Sequence, residues 1–151
     1  MPVGEALMNA DQKTQSEVTQ SLKGMFEAYK KKDLSGVLSS WATDPDLVAI
    51  GSGEDEKAVG VGKYVEGLMR DWAQADITAI GVRNFSVSAA GVVAWFVAEV
   101  TFTFKVQGKE ATLPGRMTGV MEKRNGKWLW VQMHFSTPSV VQEKGQSWPK
   151  P

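Results

Sequence analysis

The chain has 151 residues, 42% of them hydrophobic and 23% charged, values that fit one globular domain. Its 17 Lys and Arg residues balance its 17 Asp and Glu residues, so no net charge attracts it to nucleic acid or to an anionic membrane. Without Cys and with a single His, it lacks thiol nucleophiles and the ligands of common zinc and iron–sulfur sites.

Helical periodicity dominates the first half of the chain. Apolar residues three or four positions apart predict a helix over residues 11–32. Asp33 is placed to be the N-cap of a shorter second helix, which Pro45 must end because proline has no backbone N–H to donate. A short strand is predicted at residues 47–51, and a third helix over residues 61–75.

Beyond residue 76 the apolar period becomes that of strands. Four strands are predicted, at residues 77–89, 92–106, 110–123 and 127–136. Short turns join them, and Asn125-Gly126 is a strong hairpin signal, so neighbouring strands should be antiparallel. Pro114-Gly115 is the expected position of a β-bulge, because proline cannot donate to the strand ladder.

This element order predicts an α+β domain. About three N-terminal helices should pack on a strongly curved, mainly antiparallel sheet and enclose a pocket between the two layers. We expect a single domain over residues 1–151, with its core at about 12–138, a flexible N-terminus and a loose tail at 139–151. The sequence shows neither an export signal nor an apolar stretch of membrane-spanning length, so a cytoplasmic protein is expected.

Two strings resemble the nuclear transport factor 2-like superfamily. "KKDLSGVLSSWATDPDL" (31–47) is similar to that superfamily's second helix and the segment before it. "NGKWLWVQMHFSTP" (125–138) is similar to the closing strand of its SnoaL-like branch, and also of the calcium/calmodulin-dependent kinase II association domain. The resemblance covers about residues 18–138 and implies a cone-shaped fold. Because this superfamily holds enzymes, transport factors and association domains, it does not decide the function.

Ketosteroid isomerases of this fold use a carboxylate base with a tyrosine and a protonated acid that hold the enolate oxygen. Alignment on "DLSG" places the base position at Ala49 or Ile50 and the tyrosine position at Met25. The acid position falls at Arg116 or Met117. None of these residues performs that chemistry, so the resemblance does not extend to ketosteroid isomerisation.

A mixed polar and aromatic strand face predicts where the pocket lies. Residues two apart on a strand share a face, and the long strands each have an apolar face and a mixed one. The mixed face is expected to line the pocket, with these residues at its centre: Trp95, Glu99, Arg116, Trp130, His134 and Ser136.

The candidate catalytic residues are His134, a general acid or base near neutral pH, and Glu99, which would orient it. Arg116 would meet a carboxylate or carbonyl oxygen of a ligand. The other ligand-binding candidates are aromatic or carry a hydroxyl: Tyr29, Trp41, Tyr64, Trp72, Trp95, Trp130 and Ser136. A structural role stays open for each of them, since core histidines, cross-strand ion pairs and packed aromatic rings are common.

Three functions remain open. The preferred one is the binding of a small organic ligand, anionic or carbonyl-bearing, in an aromatic pocket. The second is an isomerase, cyclase or dehydratase that uses His134. The third is an association module in which Phe96, Phe102 and Phe104 form an interface, unless these rings pack against the chain's own helices. A homodimer is expected under all three, and a metal or cofactor under none.

Overall fold

The computed structural model describes residues 8–151. Its helices are α1 (Gln12–Lys30), α2 (Leu34–Leu38) and α3 (Val61–Gln74). Its strands are β1 (Val48–Ile50), β2 (Lys57–Val59), β3 (Asp76–Ala90), β4 (Val93–Val106), β5 (Lys109–Arg124) and β6 (Lys127–Ser136). The α+β class is confirmed, and β2 is the element that the sequence pattern did not indicate.

Side-chain caps fix the start of the first two helices. Asp11 accepts a hydrogen bond from the backbone N–H of Thr14 at 2.7 Å at the start of α1. Asp33 accepts from the N–H of Gly36 at 3.0 Å at the start of α2, which confirms its predicted role. Each carboxylate satisfies a donor that the first helical turn leaves without an intrahelical partner.

The six strands form one sheet in the order β2-β1-β6-β5-β4-β3. The pairing of β1 with β6 is parallel, and the other four pairings are antiparallel. Between β5 and β6, Asn125 and Gly126 have φ values of 51° and 78°, the positive pair that a tight hairpin turn requires. The mainly antiparallel sheet is therefore built largely from consecutive hairpins, as predicted.

The β-bulges do not lie where the sequence suggested. The β4–β5 register continues unbroken through Pro114, which is opposite Thr101. Pro114 is tolerated because β6 ends opposite Arg116, so this part of β5 has only one strand neighbour. The β5–β6 register instead breaks at Val131, since Val120 pairs with Gln132 and the next residue of β5 pairs with Trp130.

The helices cover one face of the sheet, called here the inner face. On β4 this face carries the buried residues Ala94, Phe96, Ala98 and Val100. The ring of Phe96 lies 5.2 Å from that of Trp130, and Phe102 is 6.2 Å from Phe26 of α1. Phe96 and Phe102 of β4 thus pack within the chain, which is the intramolecular alternative to an interface.

Gly119 of β5 leaves space for the core. It is opposite Phe96 in the register, and a Cβ atom at Gly119 would collide with the Phe96 ring.

None of the helices among residues 8–151 combines the length and the hydropathy that a transmembrane segment requires.

Candidate ligand-binding site

A cavity of about 730 Å³ lies between the helices and the inner face of the sheet. Its walls are α1, α3, the turn between β1 and β2, and the inner-face residues of β4, β5 and β6. This volume is within the usual range for pockets that hold small organic ligands. The fold therefore contains the pocket that the sequence predicted between its two layers.

The floor of the cavity is apolar. Aromatic and thioether side chains from α1 and the long strands form it: Met25, Phe26, Phe102, Phe104, Met117, Met133 and Phe135. Phe102 and Phe135 meet edge to face with their centroids 5.2 Å apart, an arrangement that aromatic rings favour. Gly115 makes room for this pair, because a Cβ atom there would lie 2.5 Å from the Phe135 ring.

A tyrosine–carboxylate pair is the main polar feature of the wall. The hydroxyl of Tyr29 on α1 donates to Oδ2 of Asp71 on α3 at 2.8 Å, and both side chains are half-buried and line the cavity. The indole N–H of Trp72 donates to the backbone carbonyl of Tyr29 at 3.0 Å. A second link between the same segments runs from Lys32 Nζ to the Trp72 carbonyl at 2.9 Å. Together these bonds hold Tyr29 and Asp71 in place.

Burial sets the proton affinity of this pair. It raises the pKa of Asp71 above its usual range, although the hydrogen bond from Tyr29 opposes the rise, and the charge of Glu56 adds to it. Burial also raises the pKa of Tyr29, as does the Asp71 carboxylate beside it. Tyr29 therefore stays a neutral donor, and Asp71 is a carboxylate whose charged form is disfavoured.

The mouth of the cavity carries charges of both signs. Arg70 bonds to Asp55 at 2.7 Å, which joins α3 to the β1–β2 turn. Lys63 pairs with Glu66 at 2.9 Å. Glu56 of the β1–β2 turn is half-buried where Asp55 is exposed, so it belongs to the wall of the cavity, and it accepts from the N–H of Gly53 at 3.1 Å. Within residues 8–151, no group of three or more His, Asp or Glu side chains is arranged to hold a metal ion.

The predicted aromatic candidates divide into two groups. Tyr29 and Tyr64 line the cavity. Trp41, Trp72 and Trp130 are buried core residues outside its lining. Trp41 lies 4.4 Å from the Tyr64 ring, and its indole nitrogen has no hydrogen-bond partner in the described part of the chain. These tryptophans support the wall, and the two tyrosines form part of it.

The prediction that the mixed face lines the pocket is wrong. Glu99, Arg116 and Ser136 are aligned across β4, β5 and β6, on the outer face of the sheet, away from the helices. Arg116 and His134 are exposed, and Arg116 reaches Ser136 at 3.4 Å.

Trp95 and Glu99, both half-buried, are on the outer face too, and Glu99 pairs there with Arg83 at 3.0 Å. The physical reason for the error is solvation, since a polar strand face is stable in water without a pocket. The bulge at Val131 adds a second error, because it breaks the alternation that had placed Trp130 beside His134.

Most of the positions aligned with the isomerase catalytic groups lie in the cavity, although Arg116, one of the two alternatives for the acid position, does not. Met25, Ala49, Ile50 and Met117 all line it, so apolar side chains occupy those positions. Sequence reasoning missed Asp71 and Glu56, the two carboxylates of the wall.

A signal for Asp71 was present in α3. It is seven positions after Tyr64 and three after Leu68, and so lies on the buried face of the helix. A carboxylate within an apolar helical stripe is a marker of a polar group inside a pocket.

A family model described as a SnoaL-like domain matches residues 18–140. No curated protein matches the sequence. Among solved structures, a nuclear transport factor 2-like superfamily protein of Salmonella enterica is similar with a TM-score of 0.77 and 17% identity, covering 92% of this chain and 100% of its own. A ketosteroid isomerase-like protein of Erwinia carotovora atroseptica has a TM-score of 0.72 and 16% identity, covering 85% and 98%.

A structure from Xanthomonas campestris whose name refers to a calcium/calmodulin-dependent protein kinase II association domain is also similar. Its TM-score is 0.66 at 24% identity, and the match covers 83% of this chain and 88% of that one. At these identities the likeness shows a shared fold.

Proposed function

Because the protein belongs to the family of SnoaL-like domains, we propose that it binds a small, mainly apolar organic molecule in the cavity between its helices and its sheet. The observation that carries this proposal is the Tyr29–Asp71 pair, a half-buried polar group in the wall of an otherwise largely apolar cavity of about 730 Å³. Such a pocket excludes water from most of a ligand and orients it through few polar contacts.

The polar groups that a ligand in this cavity would meet differ from those expected from the sequence. Arg116 and His134 lie on the outer face, so they do not reach a ligand in this cavity. The Tyr29 hydroxyl already donates to Asp71, which leaves the other carboxylate lone pairs as hydrogen-bond acceptors. A ligand with a hydroxyl or amine donor fits this wall better than the anionic ligand that Arg116 suggested.

A cavity that remains open also argues against association as the sole function. The chain's own side chains do not fill the space above its aromatic and methionine floor. Unfilled apolar volume costs stability unless a ligand occupies it. The expected homodimer is compatible with this proposal, because the outer face of the sheet does not contribute to the cavity.

Binding is tested by filling the cavity. Leu113→Trp adds a large side chain to a residue of the lining. Val92→Trp is the control, a comparable change in the turn between β3 and β4, where Val92 is 58% exposed. Native mass spectrometry of freshly purified protein, followed by denaturing extraction, reports any small molecule that copurifies.

We expect the wild type and Val92→Trp to retain the same compound and Leu113→Trp to lose it. Arg116→Ala and His134→Gln should behave as the wild type does. Retention by Leu113→Trp, together with loss in His134→Gln, would place the site on the outer face and refute the proposal.

A second candidate is an acid–base enzyme in which Asp71 abstracts or returns a proton. The elevated pKa of Asp71 and its bond to Tyr29 favour this function, since general bases are commonly tuned by burial. The test is deuterium exchange into the extracted compound during incubation with the protein in D₂O. An enzyme of this kind exchanges a C–H proton that Asp71→Asn does not exchange, whereas a pure binding protein exchanges none in either form.

A further inference from the structure

We propose that the ligand of this cavity is an organic cation, an amine attached to an apolar body. This inference rests on the proposed function, since it names the chemical class of the molecule that the cavity binds. It is drawn from the charges inside the cavity, from the partners of those at its mouth, and from the rings of its wall.

The two carboxylates of the inner wall are hydrogen-bonded to neutral groups. Asp71 takes its one described side-chain hydrogen bond from a neutral hydroxyl, that of Tyr29. Glu56, also half-buried, accepts from a backbone N–H. Neither carboxylate belongs to an ion pair among residues 8–151. Both carboxylates line the same cavity, where the charge of Glu56 raises the pKa of Asp71 and the charge of Arg70 lowers it.

The cations at the mouth are mostly engaged. Arg70 forms a two-bond ion pair with Asp55, at 2.7 and 3.3 Å, and Lys63 pairs with Glu66. Lys57 is the remaining basic residue of the lining, and it is exposed to solvent, where water screens its charge. The unbalanced charge of the cavity interior is therefore negative.

The walls add a second attraction for a cation. Tyr29, Tyr64, Phe26, Phe102 and Phe135 contribute aromatic rings to the lining, and the face of an aromatic ring attracts an ammonium group, more strongly where water is excluded. An ammonium also has three donors, which match acceptors on Asp71 and Glu56. A carboxylate ligand would instead meet two like charges.

Three compounds with one apolar body test the charge directly: 2-(1-naphthyl)ethylamine, 2-(1-naphthyl)ethanol and 1-naphthylacetate. Isothermal titration at pH 7 measures the dissociation constant of each. We expect the amine to bind at least about tenfold more tightly than the alcohol, and the acetate to bind most weakly, because a charge-assisted hydrogen bond contributes about this much.

Two variants connect that preference to the proposed carboxylates. Asp71→Asn and Glu56→Gln each keep the shape of the side chain and remove its charge, so each should cut the tenfold preference to about threefold or less. The alcohol should lose less affinity than the amine in both variants, because only the amine carries a charge that the carboxylates attract. Glu66→Gln is the matched control at the mouth, where the carboxylate already has a lysine partner, and it should leave the preference intact.

The outcomes separate this inference from the proposed function. Equal binding of amine and alcohol, or tightest binding of the acetate, overturns the cationic ligand and leaves the cavity as the binding site. An amine preference that survives both carboxylate variants overturns it as well. If none of the three compounds binds, the proposed function fails and the cationic ligand with it.

Discussion

Removing the Tyr29 hydroxyl is the sharpest test of the polar pair in the cavity. Tyr29→Phe keeps the ring, which packs 5.9 Å from Trp72 and 6.1 Å from Phe102 between centroids. It also keeps the bond from Trp72 to the Tyr29 backbone. Only the donor to Asp71 is lost, and a half-buried carboxylate is left without its partner.

The size of the effect follows from the charge and from the burial. A hydrogen bond to a charged group contributes about 1.5–3 kcal/mol when buried. Asp71 is half-buried and the cavity can supply water in place of the hydroxyl, so we expect a loss of about 1–2 kcal/mol at pH 7. For a chain of this length that lowers Tm by about 2–8 °C.

The pH dependence of this loss has a definite sign. The Tyr29 bond lowers the pKa of Asp71 against the effect of burial, so the pKa rises further in Tyr29→Phe. The loss is complete where Asp71 is ionised, and it shrinks as the pH falls through that raised pKa, because a protonated carboxyl needs the donor less.

Urea denaturation at pH 7 and at pH 4 measures the difference, with Asp71→Ala and the double variant completing a cycle. We expect a coupling energy of about 1 kcal/mol at pH 7. A coupling below about 0.3 kcal/mol, with equal losses at both pH values, would show that the hydroxyl does not stabilise the carboxylate.

Three further predictions concern other parts of the chain. Asp71→Asn should raise Tm at pH 7 and not at pH 3, because the pKa of Asp71 is higher in the folded chain than in the unfolded one and its ionisation therefore costs stability as the pH rises. Asp44→Asn should do the opposite and lower Tm at pH 7 but not at low pH, because Arg124 depresses the pKa of Asp44 in the folded chain. Gly119→Ala should lower the free energy of unfolding by about 1–3 kcal/mol in urea denaturation, because the added Cβ collides with the Phe96 ring. Gly24→Ala, in open space on α1, should raise it by up to about 1 kcal/mol. Equal effects of the two substitutions would contradict the packing of β5. The helices leave the outer face of the sheet uncovered, and Val97 is 51% exposed there; if the expected homodimer forms through this face, Val97→Lys should give a monomer in light scattering, and an unchanged mass would remove the outer face as the interface.

The secondary structure was predictable because it depends on local patterns. Asp33 caps α2, and the Asn125-Gly126 turn closes the last hairpin, as the sequence indicated. The α+β class follows from the change in apolar period after residue 76. The strand β2 is not predicted from the sequence, because its three residues, Lys57–Val59, are too few to show an apolar period.

Strand alternation alone does not show which face of the sheet lines the pocket. Polar strand residues such as His134 and Arg116 suggest a site, yet the outer face of a sheet covered on one side is polar because it faces water. One extra residue, Val131, reverses the parity of β6. Asp71 was overlooked because acidic residues on helices usually face water, and its position is clear only once α3 lies over the sheet.

Photo-crosslinking tests most directly whether ligands bind within the cavity and not on the outer face. Benzophenone is an apolar ketone that inserts into nearby C–H bonds on illumination, and tryptic mass spectrometry locates each adduct. Met25, Met117 and Met133 line the cavity, while Met8 and Met69 are 62% and 43% exposed outside it. We predict adducts at the cavity methionines that Leu113→Trp suppresses. Adducts confined to the exposed methionines or to Gln132 and His134, and unchanged in Leu113→Trp, would contradict the account.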